Sequence, residues 1–178
     1  MKIVKTLTVA AVIGMATAAN AAEPMKPSGV AQVMMSTDEK DFFETAASAN
    51  LFEIEAGKLA QTKATDPMLK EFGAKMVKDH TEASGKLMTL ASSKNVTVPT
   101  TLLKRHQSML DDLKQDKDGK DFDEDFRNKM VASHKEAVSL FDKTANKAKD
   151  PEIKAFAATM LPKLQAHGGM AMELNKGH

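Results

Sequence analysis

The chain has 178 residues, with 25 Lys and Arg against 24 Asp and Glu, 13 methionines, and no cysteine, tryptophan or tyrosine. The missing cysteine excludes disulfides, thiol catalysis and covalent haem, and argues against a lipoprotein anchor. The near-neutral charge argues against nucleic acid as the main partner, because phosphate binding needs a net basic face.

At the N-terminus Lys2 and Lys5 form a short positive region, and Leu7 to Met15 an apolar run too short to span a bilayer. Ala19-Asn20-Ala21 has the small-x-small pattern cut by signal peptidase. These features predict a signal peptide over residues 1–21, cut after Ala21, and a periplasmic mature protein. Residues 22–36, with Pro24, Pro27, Ser28 and Gly29 and no periodicity, are expected to be a flexible leader. The folded domain is expected over residues 37–176. No second long apolar run follows, so no transmembrane segment is expected in the mature chain.

Ser36-Thr37-Asp38-Glu39 fits a capping box, opening a helix that runs to about Lys63. Asp66-Pro67 restarts the chain with a cap and a first-turn proline, and this second helix runs to about Ser93. Asn95 to Pro99 is a break. A short connecting helix is predicted from about Thr100 to Lys117. A third main helix is predicted from about Phe122 to Lys147, and a fourth from Asp150-Pro151 towards Asn175. Pro162 frees the Ala158 carbonyl and predicts a kink there, and Gly168-Gly169 loosens the last turns.

The chain repeats itself. The run Asp66-Pro67-Met68-Leu69-Lys70-Glu71-Phe72 aligns with Asp150-Pro151-Glu152-Ile153-Lys154-Ala155-Phe156, and the same register superposes Asp41-Phe42 on Asp125-Phe126 without a gap. One helical hairpin has been duplicated. A single hairpin of amphipathic helices cannot bury its apolar stripes, so the two copies are expected to pack as an all-α, ferritin-like four-helix bundle with a short extra connecting helix.

Each main helix turns one ionisable side chain towards that core. Glu53 lies beside the stripe Phe42, Ala49, Phe52, Ala56; His80 lies on Phe72, Met76, Ala83, Leu87; His134 on Phe126, Met130, Ala137, Phe141; and His167 on Phe156, Met160, Leu164, Ala171. All four fall near mid-helix, so they share one layer. Imidazole and carboxylate on facing helices suit a single transition-metal ion, whether iron, zinc, manganese or copper. The bland alternative is a hydrogen-bonded core, with Glu53 paired to His80. Glu55 falls outside the stripe and is expected in solvent. Asp79, off the stripe, is placed to orient a neighbouring imidazole. His106 lies on the Leu102, Met109, Leu110, Leu113 stripe of the connecting helix; it is a weaker ligand candidate that more simply packs against the bundle. Met170 and Met172 after His167, with Met25, Met34 and Met35 in the leader, offer thioethers that suit copper(I), although Met76, Met130 and Met160 read as packing.

The stretch Glu53 to Ala60, the run Phe72 to His80 ending Met76-Val77-Lys78-Asp79-His80, Val131-Ala132-Ser133-His134, and Leu161-Pro162 followed by His167 resemble the bacterial family called domain of unknown function 4142. The resemblance implies a ferritin-like bundle in an envelope protein and no established activity. It departs from true ferritins, which carry Glu-x-x-His: here the residues three before the histidines are Val77, Val131 and Leu164. A mononuclear site, or none, therefore fits better than a di-iron centre. No catalytic motif is present, and three functions stay open: a non-enzymatic metal-binding bundle, a metal-dependent oxidase or peroxide-handling enzyme, and a metal-free envelope stress or interaction protein. A homo-oligomer or an envelope protein partner fits any of them.

Overall fold

The computed structural model describes residues 35–176. The expected signal peptide, its cleavage site and the leader up to Met34 lie outside the described residues. Five helices follow in order: α1 Thr37–Lys63, α2 Pro67–Ser93, α3 Lys104–Gln115, α4 Lys120–Lys147 and α5 Pro151–Lys176.

The starts of the long helices have chemical causes. The Ser36 hydroxyl accepts from the Glu39 backbone N–H while the Glu39 carboxylate accepts from the Ser36 N–H, closing the capping box. Asp66 Oδ1 accepts from the Met68 N–H at 2.8 Å, and Asp150 Oδ1 from Glu152 and Ile153. The connecting helix is shorter than the pattern predicts. The Leu103 N–H is taken by the Ser48 hydroxyl at 2.8 Å, so helix begins only at Lys104. At its other end the Lys63 ammonium donates to the carbonyls of Leu113, Lys114 and Asp116 and ends it at Gln115. Gly119, at φ 102°, turns the chain so that α4 starts at Lys120, two residues ahead of the predicted Phe122. The helix α5 runs unbroken through Pro162 and Gly168-Gly169.

Helices α1 and α2 form one hairpin and α4 and α5 the other; α1 packs on α4, and α3 lies across α1 and α4. The first hairpin crosses very tightly. A Cβ on Gly57 would sit 2.6 Å from the Gly73 carbonyl oxygen, and one on Gly73 would sit 2.7 Å from that of Gly57.

The duplication appears as reciprocal clamps. Glu39 Oε1 accepts from the Lys149 and Asp150 N–H groups at the α4–α5 turn. Its equivalent, Asp123, accepts from the Thr65 N–H, the Thr65 hydroxyl and the Asp66 N–H at the α1–α2 turn. Each copy thus closes the turn of the other. Arg127 reinforces one clamp by donating to Asp66 at 2.9 Å.

The apolar core divides into two clusters. One holds Phe42, Phe43, Leu87, Phe141, Ile153 and Leu164; the other holds Phe52, Leu69, Phe72, Met76, Phe126 and Met130. His80 lies between Met76 and Ala83, His134 between Met130 and Ala137, and His167 between Leu164 and Ala171, so in each case the flanking residues belong to different clusters. A polar layer therefore divides the core. No described helix is long and apolar enough to cross a membrane.

Candidate metal centre

The helical period brings His80 of α2 and His134 and His167 of the second hairpin into one layer. All three are at least 96 % buried, since the most exposed of them, His80, retains 4 %. Their rings form a nearly equilateral triangle, with centroids 5.8 Å apart for His80–His134, 5.5 Å for His80–His167 and 5.7 Å for His134–His167. Each offers a ring nitrogen such that all three lie within 4.8 Å of one another.

Each ring has one engaged nitrogen and one free. His134 Nδ1 lies 2.8 Å from the Met130 carbonyl, which can only accept, so Nδ1 carries the proton and Nε2 a lone pair. His167 Nε2 lies 2.9 Å from the Asp79 carboxylate, which makes Nε2 the donor and leaves the lone pair on Nδ1. His80 Nδ1 lies 2.9 Å from Asn50 Oδ1, which puts the proton on Nδ1 and the lone pair on Nε2. The three remaining nitrogens, His80 Nε2, His134 Nε2 and His167 Nδ1, are buried without a hydrogen-bond partner. A buried unsatisfied polar atom costs about 1–3 kcal/mol, and three such lone pairs in one layer have no donor to share among themselves.

Burial governs the electrostatics. It holds the His80 pKa well below 6.5, helped by the neighbouring His134 and His167 rings. Burial likewise lowers His167 to about 4, against the pull of Asp79. Both rings are thus neutral at pH 7, the form in which imidazole ligates a metal. Ligand nitrogens around an ion at about 2.0–2.1 Å stand about 3.5 Å apart, so inward shifts of under about 1 Å would close the triangle. Neutral imidazoles with inward lone pairs, spaced within that reach, fit a transition-metal ion.

Glu53 stands behind this triangle. Its Oε1 lies 3.5 Å from His134 Nδ1, on the protonated side of the ring, and its Oε2 is buried without a partner. Burial raises its carboxyl pKa, with the nearby His134 opposing. Glu53 therefore stands beside His134, whose ring is held by the Met130 carbonyl, and the partner of His80 is Asn50 rather than Glu53. Asn50 sits one helical turn before Glu53 on the same face of α1; a lone amide among Ala46, Ala49 and Phe52 was the signal for it. Asp79 is buried and accepts from Lys75 at 2.9 Å and lies 3.2 Å from Lys163 Nζ, which with His167 hold its carboxyl below the usual range. His106 lies outside the triad. It is fully buried under α3, its Nδ1 2.7 Å from the Ser48 hydroxyl and its Nε2 3.3 Å from Glu136, with its ring stacked on Phe52.

No curated protein matches the chain in sequence. Among solved structures it is similar to CopM in the Cu(II)-bound form, at TM-score 0.65 and 19 % identity over 78 % of this chain and 96 % of that one. It is similar also to CopM in the Cu(I)-bound form, at TM-score 0.64 and 18 % identity over the same shares. For CopM in an Ag-bound form obtained by soaking, the TM-score is 0.63 and the identity 20 %, over 81 % of this chain and 98 % of that one. At such identities the likeness establishes the helical fold. Residues 24–174 match the family described as Domain of unknown function (DUF4142), and the chain belongs to that family.

Proposed function

We propose that this protein is an exported, non-enzymatic bundle that binds one copper ion in the periplasm, through His80 Nε2, His134 Nε2 and His167 Nδ1. The observation that carries the reading is the set of three buried, unpartnered nitrogens on histidine rings whose centroids stand 5.5–5.8 Å apart in one layer. A bound cation would satisfy all three at once. Copper is favoured among divalent ions because nitrogen sites bind Cu(II) most tightly in the first-row series, and imidazole accepts it readily. The likeness in fold to a protein solved with Cu(II), Cu(I) and Ag supports the same choice. Asp79 acts as the orienting partner of His167 and the Met130 carbonyl as that of His134, with Glu53 beside it. With the triad at least 96 % buried, the reading is of a binding site rather than a catalytic one, since turnover needs substrate contact with the ion.

The test is metal content, by mass spectrometry, of untagged mature protein purified from periplasm without chelators, beside His80→Ala and His134→Ala. Near-stoichiometric copper lost in both variants is the expected result. Copper retained in both, or protein that binds none when it is supplied, would refute the proposal.

A further inference from the structure

On the α2–α5 side a polar bridge centred on Asp79 stands beside the triad. Asp79 of α2 holds His167 of α5 through Oδ2 and reaches Lys163 of α5 through Oδ1, while Lys75 of α2 donates to Oδ2 from the solvent side. The Asp79 side chain is 10 % exposed, whereas those of Lys75 and Lys163 are 46 % and 38 % exposed. A carboxylate thus lies between the buried imidazoles and two ammonium groups in water.

Beside this bridge runs an open groove of about 750 Å³ between α2 and α5, lined by Met68, Glu71, Phe72 and Lys75 on one wall and Gly169, Met170 and Glu173 on the other. Small residues on α5 let one face pack on the centre and the next face open to the groove. A Cβ on Gly168 would lie 3.4 Å from the His134 Cβ, and one on Gly169 would meet nothing within 4 Å. Thioethers in the groove are soft donors suited to a passing copper ion.

We propose, building on the copper-binding reading, that ions reach and leave the triad through this α2–α5 seam, and that Lys75 and Lys163, paired to Asp79, are the latch that sets the rate. A cation drawn into the groove by Glu71 and Glu173 meets the ammonium groups at Asp79, and that carboxylate becomes available to it only as they swing away. The latch slows exchange by charge, and the groove limits it by width.

The two effects separate by kinetics. Cu(II) loading of metal-free mature protein is followed with a fluorescent Cu(II) indicator, and release with an excess of chelator. The double variant Lys75→Gln/Lys163→Gln should load about tenfold faster, because the like charges that hold Asp79 from the entering cation are gone. Gly169→Leu, which fills the groove where there is space, should slow loading and release together, leaving equilibrium affinity within about twofold, as a narrowed passage does. Lys58→Gln, whose lysine pairs with Glu55 on the surface of α1, serves as the control and should behave as the parent. Circular dichroism of each variant checks that the bundle is intact. Copper uptake that survives His134→Ala would sink the ligand assignment and this route with it. Uptake lost in His134→Ala, with both rates unchanged in Gly169→Leu or loading unchanged in the double lysine variant, would sink the route alone.

Discussion

Acidifying the metal-free protein probes the buried histidines directly. His167 has its pKa lowered to about 4 and His80 well below 6.5, whereas both titrate near 6.5 in the unfolded chain. Below pH 6.5 the unfolded state takes up protons that the native state refuses, so stability is full above that value and falls as pH drops towards the folded pKa. From pH 7 to pH 5 His167 alone costs about 2 kcal/mol, and the lowered pKa values of His80 and of His106 on α3 add losses of the same sign. Asp79 adds nothing in this window, because its lowered carboxyl is ionised in both states. Glu53 acts in the opposite direction: its raised pKa means that the native state gains a proton and stability on acidification, which offsets part of the loss. Glu53→Gln removes that offset and should lose at least about 2 kcal/mol, with the parent losing less. The assay is urea unfolding in the presence of chelator at pH 7 and pH 5, followed by circular dichroism, since the chain has no tryptophan or tyrosine to report by fluorescence. Stability of Glu53→Gln that stays within about 1 kcal/mol between the two pH values would refute the placement of neutral imidazoles in the core.

Further outcomes follow from single contacts. Asp79→Asn should weaken copper binding by about 10–100-fold in a competition titration, because His167 loses the charged acceptor that fixes its proton on Nε2. His106→Ala should cost about 2–4 kcal/mol in denaturant unfolding, through the lost Ser48 and Glu136 contacts and the Phe52 stack, while copper stoichiometry stays at the parent value. Gly57→Ala should cost about 1–3 kcal/mol, because the new methyl sits 2.6 Å from a backbone oxygen and the helices must part. Copper added at a thousandfold excess over its dissociation constant should raise stability by about 4 kcal/mol in thermal melts, and a melting temperature that does not move would contradict the site.

Much of this was legible along the chain because it depends on local chemistry. Ser36 with Glu39, and Asp66-Pro67 with its copy at Asp150-Pro151, set the helix starts by contacts within four residues. The inward turn of His80, His134 and His167 follows from the helical period alone. What lay beyond the sequence depends on how the hairpins register against each other. The distance from Glu53 to His134 rather than His80 is decided by the α1–α4 packing, and no spacing along one helix encodes it. Lys75 and Lys163 read as ordinary surface lysines until α2 and α5 are set side by side, when both reach Asp79. The α3 start departs from the sequence pattern for a similar reason: the Leu103 N–H is held by Ser48, 55 positions earlier.

The reciprocal clamps of Glu39 and Asp123 carry a consequence for the shape of the site. Two separate hairpins could have made those same contacts as a symmetric pair, and every residue near the axis would then occur twice. A ligand set drawn from such a pair comes in even numbers. In the joined chain the position matching His134 is Asn50, the one matching His80 is Leu164, and the one matching His167 is Ala83. Fusion released the halves from having to be alike, and an odd set of three nitrogens, with different groups opposite them, became attainable inside a frame that is still nearly twofold.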